Sequence, residues 1–274
     1  MAAPSRLGSC LAALGDRSRA ALVPYFCVGD PDMDTSLECV LAAADAGADA
    51  IELGVPFSDP MADGPIIQAA SQRALAAGSS LPAILELVAE VRRRSDVPLV
   101  LFGYYNPFFR FGHETLARDA AAAGVDGLLT VDLPPEEALP LVKGCRRHGL
   151  DRIFLVAPNS GRDRIEKVAR LASGFVYLVS VTGVTGVRSV APQGIERLVG
   201  RVREVAGLPV GVGFGISTPA QAAEVAAYAD LVIVGSALVS AVHAAGRRDA
   251  TAAVKNFVGD VAAALDAVGG GPKG

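Results

Sequence analysis

Two carboxylates, Glu52 and Asp63, are the residues of this sequence best suited to acid–base chemistry. Glu52 lies within a short apolar run, Ala50 to Leu53, and Asp63 lies in the loop that follows it. Burying a carboxylate in an apolar strand is costly unless the group is paired or stays protonated. One desolvated carboxylate beside a second on a loop supports proton transfer. The alternatives are an outward-facing or salt-bridged Glu52, and an Asp63 that only forms a turn before Gly64.

Three glycine-bearing segments form a second candidate site, for a phosphate group. They are Gly183 to Gly186, Gly213 to Gly215, and Gly235 with Ser236. Backbone N–H groups in such loops, together with a helix N-terminus, bind dianions without a basic side chain. The pattern lacks GxGxxG with an acidic ribose partner, so a phosphorylated small molecule is favoured over a dinucleotide.

The elements that must position these residues follow a repeating order of short apolar run, turn residues and helical pattern. The sequence predicts strands at Leu22–Val28, Ala50–Leu53, Pro98–Phe102, Gly127–Val131, Arg152–Val156, Phe175–Val179, Pro209–Val212 and Leu231–Val234. Helices are predicted between them, among them one from the N-cap Asp34 to Ala46, two at Ile66–Ala77 and Leu81–Arg94, and two after the last strand, at Ala237–Ala245 and Ala250–Val268.

About eight βα units in a chain of this length predict a (β/α)₈ TIM barrel, of class α/β, with an open doubly wound sheet as the alternative. Leu7, Leu11 and Leu14 recur at helical spacing behind Ser5, which predicts an extra N-terminal helix. We expect one domain over residues 1–268 and a disordered tail over residues 269–274. Chemistry in such a barrel collects at the C-terminal ends of the strands. The unusual residues expected there are Glu52, Asp63, Asn106, Asp132, Asn159, Thr185, Gly186, Gly215, Gly235 and Ser236.

Composition excludes several classes of partner. The net charge of -4, a pI near 5.4 and the lack of tryptophan argue against a nucleic-acid-binding protein. No apolar run approaches the roughly 18 residues of a membrane span, and the sequence at Leu7 to Cys10 lacks the apolar stretch of a lipoprotein signal. The four cysteines and three histidines show no metal-ligand spacing. These features predict a soluble, cytoplasmic protein without a metal site.

The run from Glu52 to Pro65, read Glu-Leu-Gly-Val-Pro-Phe-Ser-Asp-Pro-Met-Ala-Asp-Gly-Pro, is close to the most specific signature of a known family. Further segments agree in order and spacing: Pro24–Pro31, Gly124–Asp126 with Asp132–Pro134, Gly183–Gly186, Gly213–Ile216 and Gly235–Ala237. The sequence thus resembles the tryptophan synthase alpha chain family over about residues 5 to 268.

This resemblance implies a barrel that cleaves indole-3-glycerol phosphate into indole and glyceraldehyde 3-phosphate by a retro-aldol reaction, in tryptophan biosynthesis. It implies a partner, the pyridoxal-phosphate-bearing tryptophan synthase beta chain, in an alpha2-beta2 heterotetramer. The alpha chain itself would need no metal or organic cofactor. Pro56, Asp59 and the loop at Asn106–Pro107 would face the beta chain.

The resemblance also assigns roles to single residues. Glu52 would shuttle protons as the catalytic acid/base, and Asp63 would accept the indole N–H and stay ionised. Thr185 would hydrogen-bond Asp63 when the sixth loop closes. The indole pocket would be walled by Tyr25, Phe102, Leu129, Tyr177, Phe214 and Ile233, and the phosphate would be held by Gly186, Gly215, Gly235 and Ser236.

Two positions depart from better-known members, which carry arginine at Val181 and threonine at Cys27. They leave open a lyase that works alone and releases free indole, and a weakly active subunit that mainly activates a beta chain. Another phosphosugar aldolase or isomerase is a further alternative. A Schiff-base aldolase is disfavoured, because the candidate lysines, Lys143 and Lys167, fall in predicted helices.

Overall fold

The computed structural model describes residues 5–16, 18–179, 192–213 and 215–268, and parallel strands alternate with helices through them. The strands are β1 (Ala21–Cys27), β2 (Ile51–Gly54), β3 (Leu99–Gly103), β4 (Gly127–Thr130), β5 (Asp151–Val156), β6 (Val176–Val179), β7 (Val210–Gly213) and β8 (Leu231–Val234). The helices are α1 (Arg6–Asp16), α2 (Met33–Asp45), α3 (Pro65–Ala76), α4 (Leu81–Arg94), α5 (Tyr105–Phe111), α6 (His113–Ala123), α7 (Leu139–His148), α8 (Arg162–Leu171), α9 (Pro192–Ala206), α10 (Pro219–Ala226) and α11 (Ser236–Val268).

The sheet closes on itself. Each strand pairs in parallel with the next one in the sequence, and β1 pairs with both β2 and β8. The predicted (β/α)₈ barrel with an extra N-terminal helix is therefore confirmed, and the open doubly wound alternative is excluded. Strands β1, β2, β7 and β8 are buried at every position, as expected for parallel strands with one face in the barrel and the other under helices.

The barrel interior is filled from the N-terminal end by α1. Leu7, Leu11 and Leu14 belong to the same apolar cluster as the inward-facing strand residues. Ser5 begins this helix as predicted, because its hydroxyl accepts a hydrogen bond from the N–H of Gly8 at 2.9 Å. With the N-terminal opening filled by side chains, open space in the barrel is left at the C-terminal end.

Most element bounds agree with the sequence prediction to within one or two residues, and two local predictions are wrong. The N-cap of α2 is Asp32 and not Asp34, because the Asp32 carboxylate accepts the N–H of Thr35 at 2.8 Å. The segment after β3 was expected to be a loop, but Tyr105 begins the short helix α5. Pro107 fits there because it lies in the first turn, where no intrahelical N–H donor is needed.

Helix α11 contains a break. Gly246 has φ +69° and interrupts the helical geometry between two segments, in agreement with the two helical stretches predicted there. Within the described ranges, no single helix is long and apolar enough to cross a membrane; α3 and α4 reach the required length and composition only together, and they meet at an angle of 95°.

Candidate active site

A cavity of about 450 Å³ opens at the C-terminal end of the barrel. Nine predicted site residues line it: Tyr25, Glu52, Asp63, Phe102, Tyr177, Gly215, Ile233, Gly235 and Ser236. The other residues of its wall are Ala62, Gly64, Pro65, Ile66, Ile67, Val131, Leu155, Val179, Gly213 and Ile216. The two carboxylates and two of the glycine-bearing segments therefore share one space.

Glu52 is the unusual group of this cavity. Its side chain points into the barrel from β2, opposite Tyr25 on β1, and the residue is only 1% exposed. Neither carboxyl oxygen has a hydrogen-bond partner among the described residues. Burial disfavours the charged form and raises the pKa of Glu52 to about 8. The outward-facing alternative is thus excluded, no described residue forms a salt bridge with Glu52, and the raised pKa favours the protonated form of its carboxyl at neutral pH.

Asp63 lies on the loop between β2 and α3 and is only partly buried. Burial raises its pKa to about 6, and the neighbouring Tyr104 hydroxyl opposes this rise. At neutral pH most of the Asp63 population is therefore ionised. The cavity therefore holds two carboxyl groups with different pKa values. The higher pKa favours the neutral acid at Glu52, and the lower one favours the carboxylate at Asp63.

Tyr104 was not predicted as a site residue. Its hydroxyl oxygen accepts a hydrogen bond from the N–H of Ala62 at 3.0 Å, directly beside Asp63. The only signal in the sequence was a tyrosine directly after the third strand, in the segment that was expected to be a loop. Sequence spacing cannot show that this hydroxyl reaches back to the loop after β2.

Aromatic side chains form one wall of the cavity. The Tyr25 and Phe102 rings meet edge to face with centroids 5.3 Å apart, and Phe102 and Tyr177 are 6.5 Å apart. Gly54 and Gly213 make room for the two tyrosines, because a Cβ at position 54 would overlap the Tyr25 hydroxyl and one at position 213 the Tyr177 hydroxyl. The wall suits a flat apolar ring.

The remaining glycines face the open side of the same cavity. Gly215 is exposed and has φ +62°, which an L side chain rarely adopts. Helix α11 begins at Ser236, directly after Gly235, so its first N–H groups lack intrahelical acceptors and carry the positive end of the helix dipole. This end of the cavity suits an anionic group such as a phosphate.

Other predicted residues fall elsewhere. Leu129 is fully buried in the apolar interior of the barrel, and Val131, two residues further along, lines the cavity instead. Asp132 accepts the N–H of Tyr105 at 2.6 Å and Asn159 is exposed, and neither lines the cavity. Thr185, Gly186 and Phe214, together with Gly183 and Val181, lie outside the described residues.

Other wall residues were also missed. Val131 and Leu155 alternate with Leu129 and Ile153, so the period of two indicates that they point inward. It does not indicate the level in the barrel at which the packed core ends and the cavity begins. Ile67 is contributed by α3, and only the tertiary structure places this helix over the cavity.

Cys27, one of the two departures noted in the sequence, is buried under α3. Its sulfur lies 3.8 Å from the Ser71 hydroxyl, and burial raises the pKa of the thiol to about 12. The thiol therefore stays neutral and fills space between β1 and α3. Across the described residues, no group of three or more His, Cys, Asp or Glu side chains is arranged to hold a metal ion.

Comparison with known proteins gives a consistent result. The family model for the tryptophan synthase alpha chain matches residues 11–266. The tryptophan synthase alpha chain of Geobacter sulfurreducens is 57% identical over 235 residues, which cover 86% of this chain and 89% of the relative. That of Geotalea uraniireducens is 51% identical over 266 residues, covering 97% and 100%.

Solved structures agree with the sequence matches. A chain in a structure of Mycobacterium tuberculosis tryptophan synthase superposes with a TM-score of 0.88 at 42% identity, covering 96% of this chain and 99% of that one. The matched range, residues 11–266, includes all eight strands of the barrel and is not confined to one motif. This chain belongs to the tryptophan synthase alpha chain family.

Proposed function

We propose that this chain is a carbon–carbon lyase that cleaves indole-3-glycerol phosphate into indole and glyceraldehyde 3-phosphate by a retro-aldol reaction. The observation that carries the proposal is the buried, unpaired Glu52 carboxyl in the same cavity as Asp63 and the glycine-bearing segments. Family membership supplies the reaction, and the chemistry of the cavity fits it.

Glu52 acts as the proton shuttle. The reaction needs a proton at C3 of the indole ring and the loss of a proton from the adjacent side-chain hydroxyl, while the carbon–carbon bond between them breaks and the hydroxyl carbon becomes an aldehyde. A carboxyl with a pKa of about 8 is protonated at neutral pH and can deliver the first proton. The carboxylate it leaves can take up the second.

Asp63 stabilises the positive charge that develops on the ring. Protonation of C3 makes the indole nitrogen more acidic and its N–H a stronger donor. An ionised carboxylate that accepts this hydrogen bond lowers the energy of the intermediate more than that of the substrate. With a pKa of about 6, Asp63 is in the required form at neutral pH.

The aromatic wall and the glycine segments orient the substrate. Tyr25, Phe102 and Tyr177 contact the indole ring, while Gly215, Gly235 and the N-terminus of α11 hold the phosphate. Binding at both ends of the molecule places the bond to be broken next to the two acids.

We also propose that the physiological partner is a tryptophan synthase beta chain, in an alpha2-beta2 heterotetramer that receives the indole, in the cytoplasm. Met61 on the loop after β2 is 82% exposed and Phe109 on α5 is 58% exposed, and large exposed apolar side chains near a cavity mouth are typical of an interface. Asp59 and Asn106, which we place at the same interface, are also exposed, whereas Pro56 is buried.

One assay tests the reaction. The purified chain is given indole-3-glycerol phosphate, with and without a tryptophan synthase beta chain, and indole release is followed. We expect slow release by the chain alone and faster release with the beta chain. If no indole forms in either case, while the same beta chain converts added indole, the proposal is wrong.

A further inference from the structure

Asp63 lies on a segment without regular secondary structure, and its neighbours Met61 and Ala62 are exposed. Segments of this kind are mobile unless other contacts fix them. A catalytic carboxylate nevertheless has to be held within about 0.5 Å of its productive position. Specific contacts must therefore hold the backbone around Asp63.

Gln68 on α3 makes such a contact. Its side-chain amide nitrogen donates to the carbonyl oxygen of Asp63 at 2.9 Å and lies 3.4 Å from that of Pro60. The N–H of Asp63 donates to the same Pro60 carbonyl at 3.1 Å. One amide group therefore closes the turn that carries Asp63. On the opposite side, the Tyr104 hydroxyl holds the N–H of Ala62.

The helix that carries Gln68 is itself fixed. Ala70 and Ala74 are fully buried, so α3 has little freedom to move against β1. Arg73 makes a two-pronged ion pair with the buried Asp30 carboxylate, with both N–O distances 2.7 Å. Gln68 thus connects the Asp63 turn to a rigid support.

Gln68 has no comparable role in the core. It is only partly buried, and the hydrogen bonds of its side chain among the described residues go to the carbonyl oxygens of Pro60 and Asp63. We infer that Gln68 is a positioning residue for Asp63 in the lyase reaction, an inference that rests on the function proposed above. It acts through the backbone of residues 60–63 and does not touch the reacting atoms.

The test uses Gln68→Met and Gln68→Glu, each compared with the same change at Gln72. Gln72 lies one turn further along α3 and is exposed. Methionine keeps the length and helix preference of glutamine and removes the donor. Ionised glutamate keeps the shape and directs negative charge at two carbonyl oxygens. Each protein is assayed with indole-3-glycerol phosphate in the presence of excess beta chain.

We expect kcat to fall about 10- to 100-fold in both Gln68 variants, which is the effect of a misplacement on the order of 1 Å. KM should change much less, because the aromatic wall and the phosphate site are intact. The melting temperature should fall by no more than about 4 °C, as for one lost hydrogen bond in a protein of this size. The Gln72 variants should behave like the wild type.

The pH profile separates positioning from a general loss of structure. Burial raises the pKa of Asp63 to about 6, and the acid limb of kcat/KM in the wild type should lie there. The other titratable groups around Asp63 are Glu52, Tyr25, Cys27, Tyr104 and Tyr177, and none of them is changed in the variants. A released turn exposes Asp63 to water, so the acid limb of the Gln68→Met variant should move to lower pH.

Each outcome decides the inference. It is overturned if kcat in both Gln68 variants stays within about twofold of the matching Gln72 variants, or if kcat falls with no change in the acid limb. It is also overturned if neither Gln68 variant folds, because Gln68 would then be a structural residue. If the wild type releases no indole with beta chain present, the proposed function fails instead.

Discussion

The pKa of the Glu52 carboxyl is raised to about 8 because no described residue compensates its charge, so the protonated form is favoured at neutral pH. A buried carboxylate normally has an arginine, a lysine or several N–H donors around it, as Asp126 has in Arg6, Arg92 and the N–H of Leu99. Glu52 has none of these among the described residues. The same desolvation that destabilises the charge makes the group a proton donor near pH 7.

Glu52→Gln should abolish proton transfer and leave the shape of the cavity unchanged. General acid–base catalysis contributes roughly 10²–10⁴-fold, so we expect indole release to slow by at least about 100-fold. Substrate affinity should change little, because the ring and phosphate contacts remain. Turnover with excess beta chain and equilibrium binding measure the two effects. Glu86→Gln, at an exposed position of α4, is the matched control, and a Glu52→Gln variant as active as this control would refute the assignment.

The same substitution should change how stability depends on pH. The pKa of Glu52 is about 8 in the folded chain, against an ordinary value of 4.5. Between these values the folded protein keeps a proton that the unfolded chain has released. The free energy of unfolding of the wild type therefore falls as pH rises through this window. The stabilising contribution of the proton on Glu52 is fully present below about pH 4.5.

In Glu52→Gln this loss cannot occur. The free energy of unfolding of the variant, relative to the wild type, should rise by on the order of a few kcal/mol between pH 4.5 and pH 8. Urea unfolding of both proteins at the two pH values measures the difference. Equal pH dependence in the two proteins would show that Glu52 is not buried as a neutral acid.

At the scale of the elements, β1, β3 and β6 carry the aromatic wall, and glycines on β2 and β7 leave room for it. Tyr25 faces Glu52 across the β1–β2 pair, and Gly54 pairs with Phe102 on β3. Glycine is required at position 54 because the Tyr25 hydroxyl occupies the space of a side chain. The position of the ring wall thus depends on the absence of a side chain in the neighbouring strand.

Gly54→Ala should displace Tyr25 and weaken the site. Forcing a methyl group into a filled space typically costs about 1–3 kcal/mol, and the displaced ring should intrude on the cavity. We expect a lower unfolding free energy and a raised KM. Gly200→Ala is the control, because position 200 lies in α9 with nothing within 4 Å of a new Cβ. Denaturant unfolding and steady-state kinetics of both variants provide the test, and an unchanged KM for Gly54→Ala would contradict it.

Helix α3 combines two tasks. It provides Ile67 to the cavity wall, and through Gln68 it holds the turn that carries Asp63. The Asp30–Arg73 ion pair links this helix to the loop after β1. The positions of the two acids are therefore set by different elements, a strand for Glu52 and a helix-anchored turn for Asp63.

At the scale of the whole molecule, barrel closure brings the loops after β2 and β3 to the same end as the cavity. The exposed Met61 and Phe109 lie on these two connections. A partner that covers them would sit next to the cavity mouth, where it can influence Asp63 and receive the product.

Phe109→Glu should weaken association with the beta chain. Removing a buried aromatic side chain from an interface often costs about 2 kcal/mol or more, so the concentration of beta chain for half-maximal stimulation should rise at least about tenfold. Indole release by the chain alone should not change. Leu75→Glu, an exposed apolar position near the end of α3, is the control. Equal titration curves for Phe109→Glu and this control would exclude Phe109 from the interface.

By itself the sequence determined the order of the strands and of most helices, the barrel class and the family. These follow from local patterns, because runs of apolar residues, helix caps and glycines act over a few positions. It also drew attention to Glu52 and Asp63, which the structure places in one cavity, since a carboxylate inside an apolar strand and a specific motif are evident from the sequence alone. It missed α5, because Pro107 is compatible with a loop as well as with the first turn of a helix. It misplaced the cap of α2, because Asp32 and Asp34 are both residue types that suit an N-cap.

Only the tertiary structure decided which inward-facing residues reach the cavity and which remain in the packed core, as for Val131 and Leu129. It alone showed that Glu52 has no partner among the described residues, and that Tyr104 and Gln68 hold the turn of Asp63 from two sides. These facts depend on contacts between residues that lie on different elements of the chain. Barrel closure and side-chain packing set such contacts, and no local pattern in the sequence encodes them.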